Sequence, residues 1–178
     1  HGKWLGEVVR AAWTSRTGRR VLSQVTRLSN QRGRPISVFL TDLRANNGEY
    51  VYDWDMIQLG QHYLKKDPVE AAPTLVHELL HVVQKSLVLP TDAIEMELEA
   101  YMVTFDVMRE LDVPFEKGSF YKSAYRKFQG PLPEFVKWLT KEYSGNYSLI
   151  GSRMSKYVEA LEKRRDKYRR SLARLDKR

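Results

Sequence analysis

Thr74-Leu75-Val76-His77-Glu78-Leu79-Leu80-His81-Val82-Val83-Gln84-Lys85-Ser86 is the stretch on which the reading of this chain turns. Its apolar residues recur at helical spacing, and the run continues until Pro90 stops it. A helix turns once per 3.6 residues, so His77 and His81 stand one above the other on one face, where two imidazoles can share a tetrahedral cation. Glu78 is rotated about 100° from His77. From there it reaches a water on such a cation without taking a coordination place, which suits a general base. Two histidines and a glutamate can also merely decorate a helix. Here Leu75, Val76, Leu79, Leu80, Val82 and Val83 surround them, and burying unpaired imidazoles and a carboxylate is costly. The chain has 4 histidines, and the other two, His1 and His62, stand outside any helical ligand pattern. A copper site at His1 would require that residue to be a mature terminus and is set aside.

A catalytic zinc takes a third protein ligand and leaves a fourth place for water. Glu95, Glu97 and Glu99 supply carboxylates on the next helix, which Thr91 or Asp92 would cap. That helix carries Ile94, Leu98, Tyr101, Phe105 and Met108 on one stripe and runs to about Leu111. A connection of a few residues makes the two helices neighbours. Helical angles leave the choice open, since Glu97 lies about −100° and Glu95 about +60° from Leu98.

With HELLH on one helix and a glutamate on the next, residues 36–111 resemble the gluzincin group of zinc metallopeptidases. The small chain suggests its compact members, the minigluzincins, and the anthrax lethal factor type of catalytic domain. In such families Ala often follows the glutamate ligand after three positions and a polar or aromatic residue after four. Glu97-Leu98-Glu99-Ala100-Tyr101 fits that pattern. The resemblance therefore implies His77, His81 and Glu97 as ligands of Zn²⁺, with Glu95 as runner-up and Glu99 as a further alternative. Tyr101 stands where many relatives carry a carboxylate that supports a histidine ligand.

The implied activity is that of a zinc metalloendopeptidase acting on protein or peptide substrates, with Glu78 as general base and then proton donor to the leaving amine. A further donor should stabilise the oxyanion, and Tyr121 and Tyr125 are candidates. The strand Asp55 to Leu59 resembles the edge strand on which metallopeptidases bind substrate by strand addition.

Upstream, Trp4, Leu5, Val8, Val9, Ala12 and Trp13, then Val21, Leu22, Val25 and Leu28, predict two amphipathic helices broken at Gly18. Gln31 to Pro35 is turn chemistry, and Ile36 to Leu43 predicts a buried strand. Asn47-Gly48 favours a tight hairpin turn with positive φ leading into a return strand, Glu49 to Tyr52. Asp67, Pro68 and Glu70 can start the histidine helix, with Pro73 kinking it or marking its true start. Downstream, shorter helices are expected around Phe120 to Phe128 and Glu134 to Tyr143, then a linker from Gly145 to Gly151. The fold class is α+β: a small mixed sheet, a histidine helix and a glutamate helix, with helical N- and C-terminal parts.

Two domains are expected, residues 1–152 and a basic C-terminal helix over 153–178. Of the formal charge of +8 on 178 residues, the last 26 carry +7, from 11 Lys or Arg against 4 Asp or Glu. Met154, Leu161, Tyr168 and Leu175 recur there every seven residues, a coiled-coil pattern compatible with self-association. The basic tail also supports a reading from another class: a non-catalytic, peptidase-like binding module that contacts nucleic acid, an anionic surface or a partner protein. Interleaved Glu159, Glu162, Asp166 and Asp176 favour a solvated or partner-pairing helix instead. The absence of cysteine excludes disulfides, thiolate metal sites and cysteine nucleophiles. No apolar run approaches the roughly 20 residues of a membrane span, so a soluble protein is expected. Its start at His1-Gly2 is compatible with export and a removed leader.

Overall fold

A computed structural model describes residues 1–44, 46–86, 93–114 and 120–143, apart from the side chains of residues 93, 95 and 143. The chain forms two compact units, His1–Phe115 and Glu116–Arg178. The expected stop at Pro90, the cap at Thr91 or Asp92, the linker, the boundary at residue 152 and the basic tail all lie outside the described residues.

The first unit opens with helices α1 (Gly2–Thr14) and α2 (Arg16–Arg32). Their break falls at Ser15 rather than at Gly18. Ser15 is extended, and its hydroxyl accepts from Gly18 N at 2.9 Å, which caps α2. Gly18 sits inside the helix for a steric reason: a Cβ there would come 2.2 Å from the Ala12 carbonyl oxygen. Gly33, at φ 66, ends α2 in the left-handed conformation that favours glycine.

Three strands follow, β1 (Ser37–Thr41), β2 (Gly48–Val51) and β3 (Met56–Gly60), in the sheet order β1-β3-β2. Several strand expectations are corrected here. The strand after Pro35 is shorter than Ile36 to Leu43 and only half covered: Phe39 points outward at 50% exposure, whereas Val38 and Leu40 are partly buried against the core. Its neighbour is not the return strand. β1 pairs in parallel with β3, Val38 opposite Ile57, and β2 pairs antiparallel with β3, Tyr50 opposite Ile57. Gly48 begins β2 and is not among the residues with positive φ. The hairpin turn is instead a short 3-10 helix, Tyr52–Trp54, closed by Asp55 at φ 48. The strand expected at the edge, β3, is therefore the central one, and the edges belong to β1 and β2.

The inner face of the sheet presents Val38, Leu40, Ile57, Leu59 and Tyr50 to the core, with β2 and β3 lying against helix α3 (Pro68–Ser86). Asp67 Oδ1 accepts from Val69 N at 2.9 Å and starts α3, which then runs through Pro73 without ending. Every residue from Ala71 to Gln84 is buried, because α1, α2, the sheet and helix α4 (Ala93–Glu110) all pack on α3. Such a central place calls for a helix with apolar residues on every side, which Leu75, Val76, Leu79, Leu80, Val82 and Val83 supply around the few polar ones. On α4 the expected stripe of Ile94, Leu98, Tyr101, Phe105 and Met108 is buried throughout.

The second unit contains α5 (Phe120–Gln129) and α6 (Leu132–Tyr143), close to the expected bounds. They join through Phe128 and Phe135, whose ring centroids lie 5.6 Å apart. No helix among the described residues is long and apolar enough to cross a membrane.

Candidate metal centre

Because α3 is buried on all sides, the polar residues on it must find partners inside the molecule. His77 and His81 stack one turn apart, ring centroids 4.9 Å apart and planes at 79°. Facing them from α4 is Glu97, also buried. Its Oε2 lies 3.4 Å from His77 Nε2 and its Oε1 3.5 Å from His81 Nε2. Two donors bound to one tetrahedral zinc at ordinary bond lengths are about 3.3 Å apart, so the spacing suits that ion. Among the described residues this is the one group of three or more His, Cys, Asp or Glu with such proximity, its ligand atoms all lying within 4.8 Å of one another.

The outer ring nitrogens determine what the inner ones can do. Gln84 Nε2 donates to the Met96 carbonyl and to Glu99 Oε2, each at 3.1 Å, which turns its Oε1 toward His81 Nδ1 at 2.8 Å. An amide oxygen only accepts, so His81 carries its proton on Nδ1. Thr104 spends its hydroxyl proton on the Ala100 carbonyl at 2.8 Å, leaving its oxygen to accept from His77 Nδ1 at 3.0 Å. When neutral, both imidazoles therefore turn a bare Nε2 lone pair toward Glu97, the tautomer a metal needs.

The electrostatics ask for a positive charge at this point. Burial, together with the charge on His77, lowers His81 to about 4, so that ring is neutral near pH 7. Burial also works against charge on His77, but the hydrogen bond to Glu97 and the charges of Glu78 and Glu97 outweigh it and hold its pKa above the usual value. A proton on His77 or a cation among the three side chains would satisfy the same field.

Glu78 is buried beside this group and is not one of the three. Burial pushes its pKa up to about 7, with the charge on His77 and the backbone N–H of Tyr50 opposing the rise. That value suits a group that must take and return a proton near neutral pH. The N–H comes from edge strand β2, which approaches closely only because residue 48 is glycine. A Cβ there would meet Thr74 Cγ2 at 2.7 Å and Glu78 Oε1 at 3.0 Å.

The fold thus brings His77, Glu78, His81 and Glu97 together. Glu99 is exposed and accepts from Gln84, and the Glu95 side chain lies outside the described residues. Tyr101 packs edge-on against His77 at 5.0 Å. Support of that ring falls to Thr104, two turns beyond Glu97, and support of His81 to Gln84, three residues beyond it. Helical spacing contained both positions, but nothing in the sequence marked them. His62 rests on Tyr63, ring centroids 4.5 Å apart, and Tyr121 and Tyr125 lie on α5 in the second unit. No protein-family model, curated protein or solved structure matches this chain.

Proposed function

We propose that this protein is a zinc-dependent metallopeptidase in which His77, His81 and Glu97 hold Zn²⁺ and Glu78 is the general base. The observation that carries the reading is the pair of imidazoles whose Nδ1 atoms are engaged by Thr104 and Gln84, so that both Nε2 atoms face one buried carboxylate beside a second carboxylate. When bound, zinc supplies a water acidified to a pKa near 7 and a positive centre for a carbonyl oxygen. Glu78 then takes a proton from the attacking water as the carbon–oxygen bond forms. It returns that proton to the amine nitrogen as the carbon–nitrogen bond breaks. Edge strand β2 runs past Glu78, so an extended peptide added to that edge would lie alongside the base.

The test is metal analysis and peptide hydrolysis in wild type, Glu78→Gln and Glu97→Ala. Wild type should take up one zinc per chain and cleave unfolded protein. Glu78→Gln should keep the zinc and lose about 10²–10⁴-fold in turnover, and Glu97→Ala should bind zinc weakly. A wild type that takes up no zinc sinks the reading. If instead zinc binds without cleavage while residues 153–178 confer salt-sensitive binding to DNA or anionic vesicles, the binding-module reading replaces it.

A further inference from the structure

Hydrolysis at this site needs one more group, a donor for the carbonyl oxygen as it gains negative charge. Tyr52 is placed where such a donor would have to stand, between the strand beside the base and the helix of Glu97. It begins the 3-10 helix that follows β2, two residues past Tyr50, whose N–H is bonded to Glu78. Its phenol oxygen lies 4.0 Å from Sδ of Met96, the residue before Glu97 on α4. The side chain therefore spans from the strand beside the base to the helix that carries the third ligand. At 40% exposure it is also open to an incoming molecule, unlike the four buried residues at the centre. A phenol keeps its proton at neutral pH, so the hydroxyl is a donor there.

The turn beneath this side chain is tied down at several points. Lys85, at the end of α3, donates to the Tyr52 carbonyl and to Asp55 Oδ1, the latter at 3.2 Å. Asp55 also accepts from Tyr50 Oη and Arg34, and Arg32 lies 3.6 Å away. The Tyr52 ring packs on that of Tyr50 at 4.8 Å, with the Lys85 ammonium 5.5 Å from its centroid. One buried carboxylate thus ties the turn to the C-terminal ends of α2 and α3, and an oxyanion donor works only if it is held in place beforehand.

We propose that the Tyr52 hydroxyl donates the hydrogen bond that stabilises the substrate's carbonyl oxygen during peptide-bond hydrolysis. The inference rests on the metallopeptidase reading and names a catalytic residue within it. As Glu78 removes a proton from the attacking water and the carbon–oxygen bond forms, the carbonyl π pair moves onto oxygen. Tyr52 Oη–H donates to that oxygen and keeps its proton. When the carbon–nitrogen bond breaks, the pair returns and Glu78 protonates the departing nitrogen.

The experiment compares full-length wild type and Tyr52→Phe, both loaded with zinc, on a mixture of quenched fluorescent peptides. The expected result is a 10²–10³-fold lower kcat, KM within about twofold and unchanged zinc content. A second readout needs no turnover. In protein labelled with [¹³Cζ]tyrosine, the resonance missing from Tyr52→Phe should shift when Zn²⁺ is added to the metal-free chain. A Tyr52→Phe enzyme with wild-type kcat, or a Tyr52 resonance indifferent to zinc, overturns the assignment and leaves the parent reading standing. A wild type that binds no zinc removes both.

Discussion

Gln84 and Thr104 are not among the three residues that face one another, yet between them they engage both Nδ1 atoms and so turn Nε2 of His77 and of His81 inward. Removing either frees a ring to turn or to take the other tautomer. Thr104→Val, nearly isosteric, and Gln84→Leu should each weaken zinc binding about 10–100-fold, measured by competition with a chromophoric chelator at fixed pH. Affinities equal to wild type would mean that the rings are held by packing alone. At this scale the sequence was partly legible. That His77, Glu78, His81 and Glu97 would come together was legible because three of them obey the spacing of a single helix and the fourth fits a pattern on the next. Gln84 and Thr104 were not, because each matters only through a partner chosen when α3 and α4 pack, and periodicity carries no record of that docking. Tyr52 was hidden for the same reason, being brought near Met96 by the tertiary fold.

At the scale of elements, two junctions depend on one residue each. β2 reaches Glu78 through Gly48, so Gly48→Ala must push the strand away or displace the Glu78 side chain, since a Cβ would sit 3.0 Å from its Oε1. Peptide cleavage should fall by at least tenfold while zinc content stays at one per chain, because the atoms an added Cβ would press on belong to Thr74 and Glu78. The start of α2 depends on Glu110. Its carboxylate accepts from Ser15 Oγ at 2.7 Å and from Thr17 N and Oγ1 at 2.8 Å. Burial pushes its pKa up, but those bonds and nearby Arg109 outweigh it, so the folded value lies below the unfolded one. Its stabilisation is therefore full above the unfolded pKa and is lost as pH falls through the folded one. Thermal unfolding followed from pH 7 to pH 3 should show a declining Tm in wild type and a shallower decline in Glu110→Gln. The variant should be less stable by about 1–3 kcal/mol at pH 7. The helices were legible here because period 3.6 survives packing. The strand order was not: Asn47-Gly48 is a strong local hairpin signal, yet the turn was made at Tyr52–Asp55, where Asp55 can hold φ 48 because four side chains fix its carboxylate.

For the whole molecule, the question is how much chain the site requires. His77, His81, Glu97, Glu78, Tyr52, the sheet and the cluster of buried residues from Val8 to Val107 all belong to His1–Phe115. The excess positive charge lies elsewhere, in residues 153–178, where composition made it legible and the described residues do not extend. A segment of about 115 residues buries enough of its surface to fold alone. Here its core is closed around α3 by α1, α2, α4 and the sheet, all from that same segment. A chain ending at Phe115 should therefore unfold cooperatively by circular dichroism and bind one zinc. At a thousand-fold excess of zinc over Kd the gain is about 4 kcal/mol, visible as a rise in Tm that Glu97→Ala largely abolishes. An unfolded fragment, or a folded one whose Tm ignores zinc, would make α5, α6 or the basic tail part of what holds the centre together.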